Sequence, residues 1–235
     1  MKIPNTITVL GFTKNKDAAL RTYAGANSSG FVASIFWNFP TPYTKFIQDR
    51  LANANNAMRN SPAFFNSGWG HYAILSIARD LGNVPVFVVE DDCRFLKNKK
   101  LLHDTLANAP NDADLLLLDS FGAAKSQDEF IAERSRAVKG WARISAARSA
   151  AAYIVGQRYI DRLISLGDRG TRGKRVRIFD QWFENRWLVG ANIYCAVPNL
   201  AVQMEDRTGN FRPSGKSNLQ KYIDIGLDID AYEEW

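Results

Sequence analysis

The sequence predicts an α/β protein, a single mostly parallel sheet flanked by helices on both sides. Three observations carry that expectation. Short β-branched and aliphatic segments alternate with helix-length segments along the chain. Two of the apolar segments, "VPVFVV" at 84–89 and "LLLL" at 115–118, have no polar alternation, as expected of strands covered on both faces. Both runs stop abruptly at carboxylates: Glu90, Asp91 and Asp92 after the first, Asp119 after the second. In open parallel sheets the crevice beyond the carboxyl ends of the strands is where ligands bind.

The elements follow in order. "TITVLGF" (Thr6–Phe12) alternates and reads as a first strand, and "NKDAALRTYAGA" as a short helix running to glycine. "GFVASIFWNF" is a second strand, closed by "PTPYT". In "KFIQDRLANANNAMRN" the apolar Phe46, Ile47, Leu51, Ala54 and Met58 are spaced for a helix. "SPAFFNSGWGHYAILSIARDLGN" starts as a loop and turns helical at about His71, with Ile74, Leu75, Ala78 and Leu81 on one face and Gly82–Asn83 as the stop. After the "VPVFVV" strand come a short helix in "LKNKKLLHDTLANAP" and the strand "ADLLLLDS". "RAVKGWARIS" reads as two short strands around a Gly turn, and "AAAYIVG" as a strand leading into a helix that ends at Gly167. "DRGTRGKRVRI" reads as a basic loop, "FDQWFENRWLVG" as a helix, and "NIYCAVPNLAVQ" as one last strand before an irregular tail.

With 235 residues, 46% of them hydrophobic and 12% aromatic, the chain can build a large core, which excludes a disordered chain. No apolar run approaches the ~18 residues of a membrane helix. The N-terminus has no signal-peptide pattern, and Cys93 and Cys195 make neither a disulfide framework nor a metal cluster, so the expectation is a cytoplasmic protein with reduced thiols. A single domain over 1–235 is expected, with a nucleotide-binding half at about 1–125 and an acceptor-side half at about 126–235. Charge is uneven: Glu133–Arg186 holds 13 Lys or Arg against 5 Asp or Glu, and the whole chain is +6. A basic face of that kind suits nucleotide phosphates, nucleic acid or peripheral contact with an anionic membrane; it is equally the pattern of a solvated, arginine-rich surface.

Three adjacent acids cannot enter a core without a counter-charge. In an extended segment Glu90 and Asp92 project to one side and Asp91 to the other. The pair can serve one ligand, one side chain holding Mg²⁺ or Mn²⁺ and the other a sugar hydroxyl. An acidic strand-to-loop turn without a metal has the same residue pattern.

Five motifs occur in order over about 60–205. They are "GWGHYAILSIARDLGNVPVFVVEDDCRF", "DADLLLLDS", "AAAYIVGQRYIDRLI", "RIFDQWF" and "VPNLAVQ". Together they resemble glycosyltransferase family 25, the sugar transferases of bacterial lipooligosaccharide (lipopolysaccharide biosynthesis) and of collagen. The resemblance implies a type A nucleotide-sugar glycosyltransferase fold. It implies a metal-dependent hexosyltransferase with a UDP-sugar as the expected donor, inversion at the anomeric carbon, and a glycan or other hydroxyl acceptor.

On that resemblance Asp92 is the expected Mn²⁺ or Mg²⁺ ligand, with Glu90 in support. Glu90, Asp91 and His71 are expected at the donor, although His71 equally fits a satisfied structural histidine. Arg172, Lys174 and Arg175, with Arg169 and Arg177, surround Gly170 and Gly173 in the basic loop, which can close over the donor's phosphates or grip an anionic acceptor. Asp180 is the expected general base; it also fits a helix N-cap. Gln203, Glu205 or Asp206 would complete the metal shell, and Trp69, Trp182 and Trp187 are candidates to stack on sugar or base. Three competing functions remain open: glycosyl transfer to modified bases of DNA, a metal-dependent phosphodiesterase or nuclease that adds Asp119 and Asp180 to the acid pair, and a non-catalytic nucleotide or nucleic-acid binder.

Overall fold

The computed structural model describes residues 1–38, 62–122, 127–172, 190–203 and 218–233. Strand β1 (Thr6–Phe12) is followed by α1 (Lys16–Ser28) and β2 (Val32–Asn38), then α2 (Pro62–Asp80) and β3 (Val86–Glu90). A tight turn leads to β4 (Cys93–Phe95), α3 (Lys99–Ala107) and β5 (Leu115–Leu117). The rest comprises α4 (Gln127–Arg134), β6 (Trp141–Arg143), β7 (Ala152–Val155), α5 (Gln157–Arg172), β8 (Ile193–Ala196), β9 (Ala201–Gln203) and α6 (Asn218–Asp224).

Seven strands form one sheet in the order β2-β1-β3-β7-β5-β8-β6, and β4 pairs with β9 in a separate ribbon. The β1–β2, β1–β3 and β5–β8 pairs are parallel, while β7 runs antiparallel to both β3 and β5, and β6 antiparallel to β8. Five strands therefore point one way and two the other. Strand β7 comes from the second half of the sequence yet lies between β3 and β5 of the first, so both halves build the same sheet.

The uninterrupted apolar runs have the cause the sequence suggests, since both sheet faces are covered. Val9, Phe87, Val89, Leu116 and Ile154 pack in one core with Ala26 of α1, Leu102 and Leu106 of α3, and Tyr222 of α6. The alternate positions Leu10, Val88, Leu115, Leu117 and Tyr153 pack in the other with Ile74, Leu75 and Ala78 of α2 and Ile160 and Leu163 of α5. Each fully buried aliphatic side chain contributes about 1.5–3 kcal/mol. In α3, Asn98 caps the N-terminus by accepting from the Leu101 amide.

Several expectations change. Helix α2 begins at Pro62 rather than near His71, running through Gly68 and Gly70. Glycine usually weakens a helix, but a Cβ on Gly70 would stand 2.6 Å from Leu10 Cδ1 and 2.6 Å from Asn38 Nδ2, so close packing on the sheet selects it. Helix α5 passes Gly167 and ends at Arg172, so 168–172 is helix and not basic loop. The expected last strand is two: β8 stays in the main sheet and β9 leaves it to pair with β4. The tail contributes a helix, α6. The expected helix in 45–60, and that in 179–190 up to residue 189, with Trp182 and Trp187, lie outside the described residues. No helix among the described residues is long and apolar enough to cross a membrane.

Candidate active site

The acid triplet sits where β3 ends at the carboxyl edge of the sheet, between β1 and the antiparallel β7. Its three members have three different environments. The Asp91 side chain turns inward: it is buried, Oδ2 accepts from the Phe12 amide at 3.1 Å, and its carbonyl accepts from Thr22 Oγ1 at 2.8 Å. It ties the end of β1 to α1.

Glu90 keeps a side-chain exposure of 16%, and Ser67, His71 and Gln203 are among the residues that hold it. Ser67 Oγ (2.9 Å) and His71 Nε2 (3.1 Å) approach Oε1, and Gln203 Nε2 donates to Oε2 at 3.0 Å. His71 is wholly buried in mid-helix, and its Nδ1 lies 3.0 Å from the Tyr153 hydroxyl. In the tautomer that carries its proton on Nε2, Nε2 donates to Glu90 and Nδ1 accepts from the phenol. Burial first, and the Glu90 charge second, push the Tyr153 hydroxyl well above its ordinary pKa, so it keeps its proton. In this arrangement the wholly buried His71 ring contacts Glu90 and Tyr153.

Asp92 has the opposite character. Its Oδ1 is shielded from solvent and, among the described residues, has no hydrogen-bond partner. Burial raises its pKa well above the usual carboxylate range, the charges of Glu90 and Asp91 raise it further, and a hydrogen bond with Gln203 works the other way. Gln203 thus meets both Glu90 and Asp92, which share a side of the turn while Asp91 takes the other.

Asp119, beyond β5, is fully buried and accepts from Ser149 Oγ, Asn199 Nδ2 (3.2 Å) and the Tyr222 hydroxyl (2.8 Å). Burial lifts its pKa to about 7 against the lowering effect of Ser149 and Tyr222; the Glu90 charge adds to the rise and Asn199 opposes it. Ser149 is held at φ +91°, a left-handed conformation that a non-glycine residue adopts at a cost, and there it reaches Asp119. The Tyr222 hydroxyl also accepts from the Gln203 amide at 2.9 Å, linking Asp119 through α6 to the residue that bridges the acids. Buried Arg134 donates to Asn199 Oδ1 at 2.9 Å and to the Ala196 carbonyl at 3.0 Å.

Part of the basic half is therefore structural. Arg134 is in this network, and Arg158 makes a bidentate pair with Asp114 at 2.6 Å for both bonds. Trp69 is half-buried, its ring 5.4 Å from that of Tyr72. Cys93 and Cys195 are free and buried. Asp180, Lys174, Arg175, Arg177, Gly173, Glu205 and Asp206 lie outside the described residues, and of Arg169, Gly170 and Arg172 only the helical backbone belongs to them.

A hard divalent cation fits Asp92: an anionic oxygen with no donor, its charge opposed by burial and two neighbouring acids, is what a cation would relieve. Glu90 fits less directly because its oxygens already accept from three side chains. Among the described residues no group of three His, Cys, Asp or Glu is arranged to hold a metal. One or two carboxylates with the ligand's own phosphate oxygens are the usual manner for Mg²⁺.

Sequence reading missed Ser67, Tyr153, Ser149 and Tyr222. Tyr153 lies within the quoted "AAAYIVG", where it reads as strand core. Tyr222 has no local signal, because its role comes from the docking of α6.

No family model matches the sequence, and no curated protein matches it. Among solved structures, the chain is similar to one described as "Crystal structure of a glycosyltransferase involved in the glycosylation of the major capsid of PBCV-1", at 11% identity and a TM-score of 0.46. The similarity covers 94% of this chain and 97% of that one.

Proposed function

We propose that the chain is a metal-dependent glycosyltransferase that moves a hexose from a nucleotide sugar, a UDP-sugar first, to a hydroxyl acceptor with inversion. The observation that carries the reading is Asp92 Oδ1, buried beside Glu90 at the carboxyl end of β3 with no donor among the described residues. The order of motifs along the chain supports the same reading.

The residues divide the work. Asp92 is the cation ligand, assisted by Glu90. A bound Mn²⁺ or Mg²⁺ would supply positive charge to the leaving diphosphate. Ser67, His71 and Gln203 hold Glu90 in one orientation, so that little reorganisation is needed when substrate binds. Asp180 takes the proton from the acceptor hydroxyl as that oxygen bonds to the anomeric carbon and the bond to the diphosphate breaks. Arg172, Lys174 and Arg175 serve the phosphates or an anionic acceptor. A two-metal phosphodiesterase that recruited Asp119 is disfavoured, because three donors already occupy that carboxylate.

The test is calorimetric binding of UDP with Mn²⁺, without it, and with Asp92→Asn. Metal-dependent binding that the variant loses is the expected result. Tight binding indifferent to both changes overturns the role of Asp92.

A further inference from the structure

A groove of about 520 Å³ opens on the flank of the molecule between α1 and β4. Its size is that of a small-molecule site and far exceeds the needs of a single ion. One wall is a face of α1, with Arg21, Ala24, Gly25 and Ser28 at helical spacing. The opposite wall begins at Cys93, the residue after Asp92, and continues through Arg94 to Lys97. The C-terminal segment closes the end with Glu233, whose amide donates to the Phe95 carbonyl at 2.9 Å.

Three cations and one carboxylate line this groove, a basic concentration that no stretch of sequence displays, since its residues come from α1, β4 and the tail. Glu233 is itself offset by Lys99, whose Nζ stands 4.0 Å from its carboxylate. Its Oε1 accepts from Ser28 Oγ at 3.4 Å, and the remaining lone pairs of the carboxylate are acceptors suited to sugar hydroxyls. Ala24 and Gly25 give a low apolar floor, against which the C–H face of a pyranose can lie. Guanidinium groups such as those of Arg21 and Arg94 favour planar or tetrahedral oxyanions over neutral groups.

We propose that this groove binds an anionic saccharide, one carrying a carboxylate or a phosphate ester, gripped by Arg21 and Arg94 with its hydroxyls toward the Glu233 carboxylate. The assignment to a saccharide rests on the glycosyl-transfer reading and gives the acceptor its class: a glycan whose anionic unit sits beside the Asp92 turn.

The test titrates the full chain with glucose 6-phosphate, glucuronate, neutral glucose and inorganic phosphate, following backbone amide shifts. It compares wild type with Arg94→Gln and with the exposed pair Arg21→Gln/Lys97→Gln; UDP with Mn²⁺ is titrated in parallel. A sugar anion should bind at least about tenfold tighter than glucose, and each variant should lose about tenfold, the worth of one charge-assisted contact. The tighter of the two anions names the source of the charge. Shifts should map to α1 and β4, and UDP affinity should not change in either variant. Equal affinity for glucose, no effect of the substitutions, or inorganic phosphate binding as tightly as the sugar anions overturns the proposal. Sugar-anion binding without UDP binding preserves the groove and overturns the transferase reading instead.

Discussion

Replacing Asp92 by Asn should stabilise the metal-free protein while removing its metal response. Among the described residues one buried oxygen of the carboxylate has no partner, and its pKa is raised well above 3.8 by burial, Glu90 and Asp91. A carboxamide keeps the shape and removes the charge. Relief of one buried, poorly compensated polar group contributes about 1–3 kcal/mol. The sign with pH follows from linkage: a carboxyl that binds its proton more tightly when folded costs nothing below its unfolded pKa, and the cost grows as pH rises through the window above 3.8. Urea unfolding in EDTA should therefore show the variant more stable than wild type, by more at pH 8 than at pH 5. Adding Mn²⁺ and UDP at ~100 times their Kd should stabilise wild type by about 2.7 kcal/mol and the variant by far less. A variant less stable than wild type in EDTA at both pH values would refute the reasoning, since Asp92 would then be a satisfied structural acid.

Asp119→Asn should flatten the pH dependence of stability. With a folded value of about 7 against 3.8, the wild-type carboxyl costs progressively more as pH rises between them; by linkage it removes about 2–3 kcal/mol between pH 5 and pH 8. Parallel urea curves for the two proteins at those pH values check this, and an unchanged difference would contradict it. Gly70→Ala should destabilise by about 1–3 kcal/mol, the usual cost of overpacking, because the new Cβ meets Leu10 and Asn38 at 2.6 Å. A thermal melt at or above the wild-type midpoint would count against that packing.

What was legible in the sequence was local. The strands Val86–Glu90 and Leu115–Leu117 announced themselves because burial on both faces demands unbroken apolar runs, and the acids at their boundary marked the sheet edge. The pairing of Glu90 with Asp92 on one side of the turn, and Asp91 on the other, followed from the two-residue period of extended chain. Helix α2 defeated the same method, because two glycines and a loop-like composition masked nine helical residues that tertiary packing supports.

The rest was decided by contacts between residues far apart in sequence. Gln203 reaches Glu90 across 113 positions and Tyr222 reaches Asp119 across 103. Glu233 closes a groove begun at Arg21. The sequence by itself determined the class of fold, the edge of the sheet and the acids that stand there, since periodicity and burial are properties of short segments. Only the tertiary structure decided that His71 faces inward to Glu90, that Asp119 is occupied and that, among the described residues, Asp92 Oδ1 meets no hydrogen-bond donor. Hydrogen bonds and charges are satisfied or left open by neighbours in space, and no local pattern of residues encodes which neighbours will arrive.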